Sequence, residues 1–420
     1  MKLLVIGSGG REHAIATKLL SSPKVTNVYC AKGNIGMIKD GIEPVDIAED
    51  DHEALIEFAK KHQIDWTFVG PEVPLLNGIV DDFEKAGLKI YGPRRNAAMI
   101  EGSKEFAKKI MQQNNIPTAD YQVFTVYEEA KEYIEKMGAP IVIKADGLAA
   151  GKGVVVAETE FEALEALKEM MVDQRFGESG TRVVIEEFLE GQEFSLLAFV
   201  RGEEVYPMVV AQDHKAAFDG DKGPNTGGMG AYSPVPQIPE WMVQTAIDEI
   251  LQPAAKGMVE NGTLFNGILY AGLIATDEGP KTIEFNARFG DPETQVILPR
   301  LTSDLAQIFD DLLNGKNPVV TWDHELSCLG VVVAAEGYPG EYLKGAPIPE
   351  FTDTVTVSYA GVAEDSGNLV TDGGRVYLVA ATGNDLKEAQ KKVYDALSIV
   401  DTDGTFYRID IGDKAIKGSL

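Results

Sequence analysis

The chain has 420 residues, 44% of them hydrophobic and 25% charged, with a formal net charge of −28. That length predicts roughly two to four domains with room for real cores. Acidic residues are spread along the whole chain, which excludes the basic footprint of a nucleic-acid binder, and the two cysteines, Cys30 and Cys328, exclude a disulfide framework or a Cys/His zinc cluster.

No run of about eighteen apolar residues is present to span a bilayer, so no membrane partner is expected. The N-terminal MKLLVIGSGG has too short an apolar run for a signal peptide and reads as a first strand. A cytoplasmic monomer with reduced thiols is expected. The acidic balance does not forbid anionic small ligands, because exposed charges beyond about 8 Å are screened at physiological salt and local groups decide.

Residues 2–6 are an apolar run entering GSGGREHA, followed by a helical pattern through Ile15, Leu19 and Leu20. Residues 25–31 read as a strand, 54–61 as a helix, 66–69 as a strand ending at Gly70-Pro71-Glu72, 79–86 as a helix and 89–91 as a strand. Strands alternating with helices imply a parallel sheet with ligands outside the carboxyl ends of its strands, where residues 7–12 and 70–72 fall. GSGGREHA is not a dinucleotide fingerprint, which needs glycine where Glu12 stands. It is either a phosphate site at a helix N-terminus, with Arg11 adding charge, or a tight strand-to-helix turn.

Residues 104–113 and 128–136 read as helices, and 121–124 and 140–144 as strands. DGLAAGKGV follows, with Gly153 where a Walker loop requires a hydroxyl. Between strands 141–144 and 154–157 it is either a lid whose N–H groups and Lys152 meet a polyphosphate, or an ordinary hairpin loop. Residues 183–185 lead into Glu186-Glu187-Phe188-Leu189, an extended segment able to offer its backbone to an adenine edge, with Glu193 placed for ribose hydroxyls. Residues 211–233 lack periodicity and read as a long functional loop. Its Asp219-x-Asp221-x-Gly223 is no calcium loop, since Pro224 and Gly230 replace the required glycine and glutamate. Helices are expected at 241–261, 305–313 and 385–397, the last N-capped by Asn384. Strands are expected at 267–276 and 281–288, joined by a turn at 277–280, and at 327–335, 354–358 and 375–382. Beyond residues 337–345, no chemistry is expected in the C-terminal part.

The strand at 281–288 concentrates the chemistry. Alternation places Ile283, Phe285 and Ala287 on one face and Glu284, Asn286 and Arg288 on the other. Glu284 and Asn286 are oxygen donors suited to a hard cation that takes its other ligands from water and phosphate. Arg288 could hold a carboxylate or phosphoryl oxygen through two parallel hydrogen bonds. The plainer reading is a half-buried strand with a solvated polar face.

In chain order, Lys104 with Lys144, a glycine lid, EEFL with Glu193, and E-x-N on a late strand resemble the ATP-grasp superfamily of carboxylate–amine ligases. VIGSGGREHA, DHKAAFDGDKGPNTGGMGAYSP and RFGDPETQ narrow the resemblance to its glycinamide ribonucleotide synthetase family, over essentially the full length. The resemblance implies an α/β protein: an N-terminal parallel-sheet domain (1–102), an ATP-grasp central domain (103–122 and 196–325), a mobile lid subdomain (123–195) and a C-terminal α/β domain (326–420). It implies ATP-dependent joining of glycine to 5-phosphoribosylamine through a glycyl phosphate, with Mg²⁺ as cofactor and Mn²⁺ as an alternative. Lys104, Lys144, Gly151, Lys152, Gly153, Glu186, Phe188, Leu189 and Glu193 would then bind ATP, and Glu284 and Asn286 the metal. Arg288 and Lys144 would be catalytic. Gly9, Gly10, Arg11, Glu12, Gly70, Pro71, Glu72, Asp213, Lys215, Asn225, Thr226, Gly227, Gly228 and Asp291 would bind the substrates. One departure is that residues 268–276 carry no acid where many relatives of the superfamily place a further metal ligand.

Overall fold

A computed structural model describes residues 1–147 and 153–418; Gly151 and Lys152 of the expected lid lie outside the described residues. The first ninety or so residues form a five-stranded parallel sheet in the order Glu43–Val45, Asn27–Lys32, Lys2–Gly7, Trp66–Val69, Ile90–Tyr91. Leu3, Leu4, Val5 and Ile6 are all fully buried, as expected of a strand covered on both faces. Strands Lys2–Gly7 and Trp66–Val69 are neighbours, with Ile6 opposite Val69, so the glycine turn and Gly70-Pro71-Glu72 emerge side by side at the switch point of the sheet.

Tyr121–Phe124, Val183–Glu187, Ile141–Ala145 and Val154–Ala157 form an antiparallel sheet in that order. Helices Tyr127–Met137 and Glu160–Met171 cover it, the second opened by a capping box between Thr159 and Glu162. A second antiparallel sheet runs Glu204–Pro207, Gln192–Arg201, Asn266–Thr276, Gly279–Asn286. The third antiparallel sheet holds Gln212–Asp213, Gly230–Ser233, Ser327–Ala335, Arg375–Gly383 and Thr356–Tyr359, backed by helix Leu386–Ser398.

Four local expectations need correction. Residues 211–233 are not structureless: Ala216–Phe218 and Lys222–Asn225 make a hairpin, and Gly230–Ser233 pairs with Ser327–Ala335. The partner that orders this stretch lies about a hundred residues away, beyond the reach of any local periodicity. Strands on both sides of residue 326 therefore share one sheet. The cap of helix Leu386–Ser398 is Asp385, whose carboxylate accepts from Glu388 N, rather than Asn384. Finally, the strand expected to run to Arg288 ends at Asn286 and carries a bulge, because Gly272 pairs with Glu284 but Leu273 with Thr282. Ile283 is the extra residue, and it joins the same wall as Glu284 rather than the opposite face.

Phe309 holds the N-terminal and central sheets together. Its ring stacks on Phe68 with centroids 4.9 Å apart, lies 5.0 Å from Tyr91, and meets Trp66 and Phe199 edge-on at 5.6 and 5.7 Å. Phe289, the residue after Arg288, completes the cluster 5.8 Å from Phe68. Phe309→Ala is expected to destabilise the fold by about 3–5 kcal/mol in chemical denaturation followed by tryptophan fluorescence. A loss under about 1 kcal/mol would mean that the two sheets do not depend on this cluster.

Candidate active site

The bulge at Ile283 turns the strand carbonyl toward Lys144, whose Nζ donates to Ile283 O at 3.1 Å and lies 3.0 Å from Glu186 Oε2. Lys144 comes from Ile141–Ala145 and Glu186 from the adjacent Val183–Glu187, with Val142 opposite Glu186 in the register. Lys104 opens helix Lys104–Gln113, whose N-cap is Ser103, and its Nζ donates to Gly147 O at 3.1 Å. Asp146, first residue of DGLAAGKG, accepts from Lys104 N at 2.6 Å and so ties the loop to that helix start. Gly153, at the loop's far end, accepts from Ala145 N.

Glu284 and Asn286 stand on the strand below these lysines. Burial works against ionisation of Glu284, but Lys215, Lys144, Lys104 and Arg288 outweigh it and hold its carboxyl below the usual range. Burial also lowers the Lys104 ammonium, against the pull of Glu284. An ionised carboxylate beside a carboxamide oxygen is a hard donor pair that fits Mg²⁺, provided phosphate and water supply the remaining ligands. Among the described residues, no group of three His, Cys, Asp or Glu converges as a self-sufficient metal cage.

Arg288 lies just past the strand end, between two acids. Its Nη2 is 3.0 Å from Glu101 Oε1 and its Nε 3.3 Å from Glu72 Oε2. Glu72 opens helix Glu72–Leu76 and Glu101 sits near the end of helix Arg95–Gly102, where it also accepts from Ala287 N. Burial opposes the Arg288 charge, but Glu101 and Glu72 more than offset it and raise its pKa. Burial likewise opposes ionisation of Glu72, yet Arg288 and Arg11 keep its carboxyl low. Burial pushes Glu101 up to about 7 despite Arg288. Glu101 was invisible in the sequence, since nothing in its spacing separates it from an ordinary surface acid.

The N-terminal glycines have a different reason from the expected one. Glu12 Oε2 accepts from Gly9 N at 2.8 Å and caps its own helix, while Oε1 meets Arg11 Nε. A Cβ on Gly70 would stand 1.9 Å from Glu12 Oε1, and one on Gly7 2.4 Å from Glu12 Cγ. Gly7 and Gly70 thus make room for a buried carboxylate. Arg11, also buried, donates to Phe289 O at 3.1 Å and faces the cavity.

The hairpin after His214 forms the opposite wall. Thr226 N and Oγ1 both donate to Lys215 O, fixing Lys215 beside Asn225. Lys215 Nζ is 3.4 Å from Glu193 Oε2. Burial, sharpened by Glu293 and Glu193, pushes Asp213 up to about 7 despite Lys215. Glu293 accepts from Tyr270 OH at 2.8 Å. The C-terminal part is not chemically silent as expected: Arg375 donates to Asp291 O at 2.8 Å and to Gly228 O, and its Nη2 lies 3.6 Å from Asp291 Oδ2. Gly227 N donates to Tyr338 OH, and a Cβ there would stand 2.9 Å from Arg375 Cζ. The signal available in the sequence was Gly373-Gly374 before Arg375, glycines that let backbones close in on one another.

One cavity of about 530 Å³ connects these groups. Of the expected residues, Arg11, Pro71, Glu72, Lys104, Lys144, Glu186, Phe188, Leu189, Glu193, Asp213, Lys215, Asn225, Thr226, Gly227, Glu284, Asn286, Arg288 and Asp291 line it. Gly9 and Gly10 line a separate cavity of about 390 Å³ behind Asp291 and Arg375. Glu12, Gly70, Gly153 and Gly228 line neither. The main cavity is lined by the apolar Val142, Val154, Val156, Leu189 and Ile274, side chains that suit a flat base, and by the basic Lys104, Lys144, Arg288, Arg11 and Arg375.

Residues 1–101, 102–294 and 328–414 match the N, ATP-grasp (A) and C domains of phosphoribosylglycinamide synthetase. The phosphoribosylamine–glycine ligase of Streptococcus pyogenes serotype M6 is 58% identical over 420 residues, 99% of this chain and 100% of that protein. That of Streptococcus suis is 59% identical over the same share of both chains. The crystal structure of the Thermotoga maritima phosphoribosylamine–glycine ligase superposes with a TM-score of 0.85 at 34% identity, covering 98% of this chain and 100% of that one. The biotin carboxylase domain of Hydrogenobacter thermophilus 2-oxoglutarate carboxylase, with MgADP, shares the fold at TM-score 0.73 and 16% identity, over 97% and 91% of the two chains. With its three parts matched in order and more than half its residues identical to full-length relatives, the chain belongs to the phosphoribosylglycinamide synthetase family.

Proposed function

We propose that the chain joins glycine to 5-phosphoribosylamine, converting ATP to ADP and phosphate and yielding glycinamide ribonucleotide. The observation that carries this reading is the single cavity whose lining brings together apolar side chains, Lys104 and Lys144, Glu284 and Asn286, Arg288, and Arg11 with Arg375. Adenine fits among the apolar lining side chains beside Phe188 and Leu189, with Glu193 near the ribose. Lys104 and Lys144 meet the phosphates. Glu284 and Asn286 hold Mg²⁺, which when bound neutralises phosphate charge. Arg288 orients the glycine carboxylate toward the terminal phosphorus. Arg11 and Arg375 take the phosphate of phosphoribosylamine, with its sugar near Glu72 and Asn225 to Gly227. Cytoplasmic residence is part of the same proposal, supported by two buried free thiols.

The chemistry follows from charge placement. A carboxylate is a poor acyl donor, so its oxygen first attacks the γ-phosphorus and ADP leaves. The amine then attacks the acyl carbon, phosphate leaves and a proton is released. Positioning and charge stabilisation supply most of the acceleration in such transfers, and a closed cavity keeps water from the acyl phosphate.

Phosphate release from ATP is expected to require glycine and phosphoribosylamine together. Release that needs neither, or that yields no ADP, overturns the proposal. Glu284→Gln is expected to lower kcat about 100-fold or more while circular dichroism stays unchanged; near-normal turnover rules out the metal assignment. Arg11→Ala and Arg375→Ala should each raise the KM for phosphoribosylamine about 10- to 100-fold, the loss of one charge-assisted contact, with the KM for ATP unaltered. A rise confined to ATP would move the sugar phosphate elsewhere.

A further inference from the structure

Helix Lys104–Gln113 carries a second lysine one turn after Lys104, on the same face. Lys104 lines the cavity, whereas Lys108 does not: it is 2% exposed and lies beneath Glu186. The Glu186 carboxylate therefore stands between two ammonium groups, with Oε2 3.0 Å from Lys144 Nζ and Oε1 3.2 Å from Lys108 Nζ. Lys108 Nζ also donates to Thr118 Oγ1 at 2.8 Å, and that hydroxyl donates to Thr282 O at 2.7 Å, two residues before Glu284. The Tyr121 ring lies 5.1 Å from the ammonium. Lys108 thus joins Glu186, on the sheet above the cavity, to the strand that forms its floor.

We propose that Lys108 is a positioning residue of the nucleotide site, sharing the charge of Glu186 so that Lys144 is left with positive charge for a phosphate. This rests on the nucleotide reading given above. Two cations around one anion leave the buried trio at +1, and an anionic ligand at Lys144 completes the balance. Without Lys108, Glu186 and Lys144 would neutralise each other, and an arriving phosphate would have to compete with Glu186 for Lys144. Burial lowers the Lys108 ammonium to about 8 against the pull of Glu186, so it is mostly charged at neutral pH.

The test measures calorimetric affinity for a non-hydrolysable ATP analogue with Mg²⁺, together with the KM of each substrate, in Lys108→Met, Glu186→Gln, the double variant and Lys144→Met. Lys108→Met is expected to weaken analogue binding about tenfold or more, leaving the KM for glycine and phosphoribosylamine unchanged. Glu186→Gln and the double variant are expected to bind the analogue within about twofold of each other, because Lys108 matters only while Glu186 is charged. Wild-type affinity in Lys108→Met, or a clear further loss in the double variant, overturns the proposal. Should Lys108→Met not fold, the comparison of Glu186→Gln with the double variant still decides, since the double variant removes the Lys108 and Glu186 charges together and leaves neither member of that pair without the other. Unchanged affinity in Lys144→Met would instead remove the nucleotide reading itself.

Discussion

A guanidinium largely withdrawn from water needs acids around it, and meeting that need for Arg288 ties several parts of this chain together. An unpaired buried charge costs several kcal/mol, so Arg288 can sit past the end of strand Gly279–Asn286 only where Glu72 and Glu101 reach it. Glu72 emerges from the N-terminal parallel sheet, and Glu101 lies just before the helix that carries Lys104. The carbonyl of Phe289 accepts from both Arg11 and Arg288, while its ring enters the aromatic cluster around Phe309. Docking of the sheets and placement of the central cation are thus one set of contacts.

Much of this was legible where burial imposes a period on the sequence. A strand covered on both faces is apolar nearly throughout, and Leu3 to Ile6, and Trp66, Phe68 and Val69 around a single Thr67, follow that rule. Glu284 and Asn286 were legible as a pair because residues two apart on a strand share a face. The glycines were legible as special and misread in part. Gly7 and Gly70 serve the Glu12 side chain, and only a structure shows which carboxylate fills the space a Cβ would take.

What stayed hidden depends on long-range pairing. Arg375 reaches Asp291 from 84 residues away, and Glu101 meets Ala287 N across 186. Neither contact leaves a trace in local spacing. The order in residues 211–233 is of the same kind, imposed by Ser327–Ala335 on one strand and by Arg408, which donates to Ala216 O, at the hairpin. The bulge at Ile283 is subtler still. It breaks the period-two rule by one residue, and in doing so it delivers a carbonyl to Lys144.

The charge of the cavity bears on what it can accept. Among the described residues, six basic side chains line it, against nine acidic ones, and nearly every one of those cations is held by an acid. Burial raises two of those acids, Glu101 and Asp213, to about 7, which relieves the excess without reversing it. A polyphosphate entering this space would meet the carboxylates of Glu284 and Glu186 as well as the lysines. Glu284, kept ionised by its four basic neighbours, would hold a divalent cation together with Asn286, and that cation would supply positive charge against the phosphates. The −28 of the whole chain is compatible with a triphosphate because the decisive charges are those within a few ångströms of it.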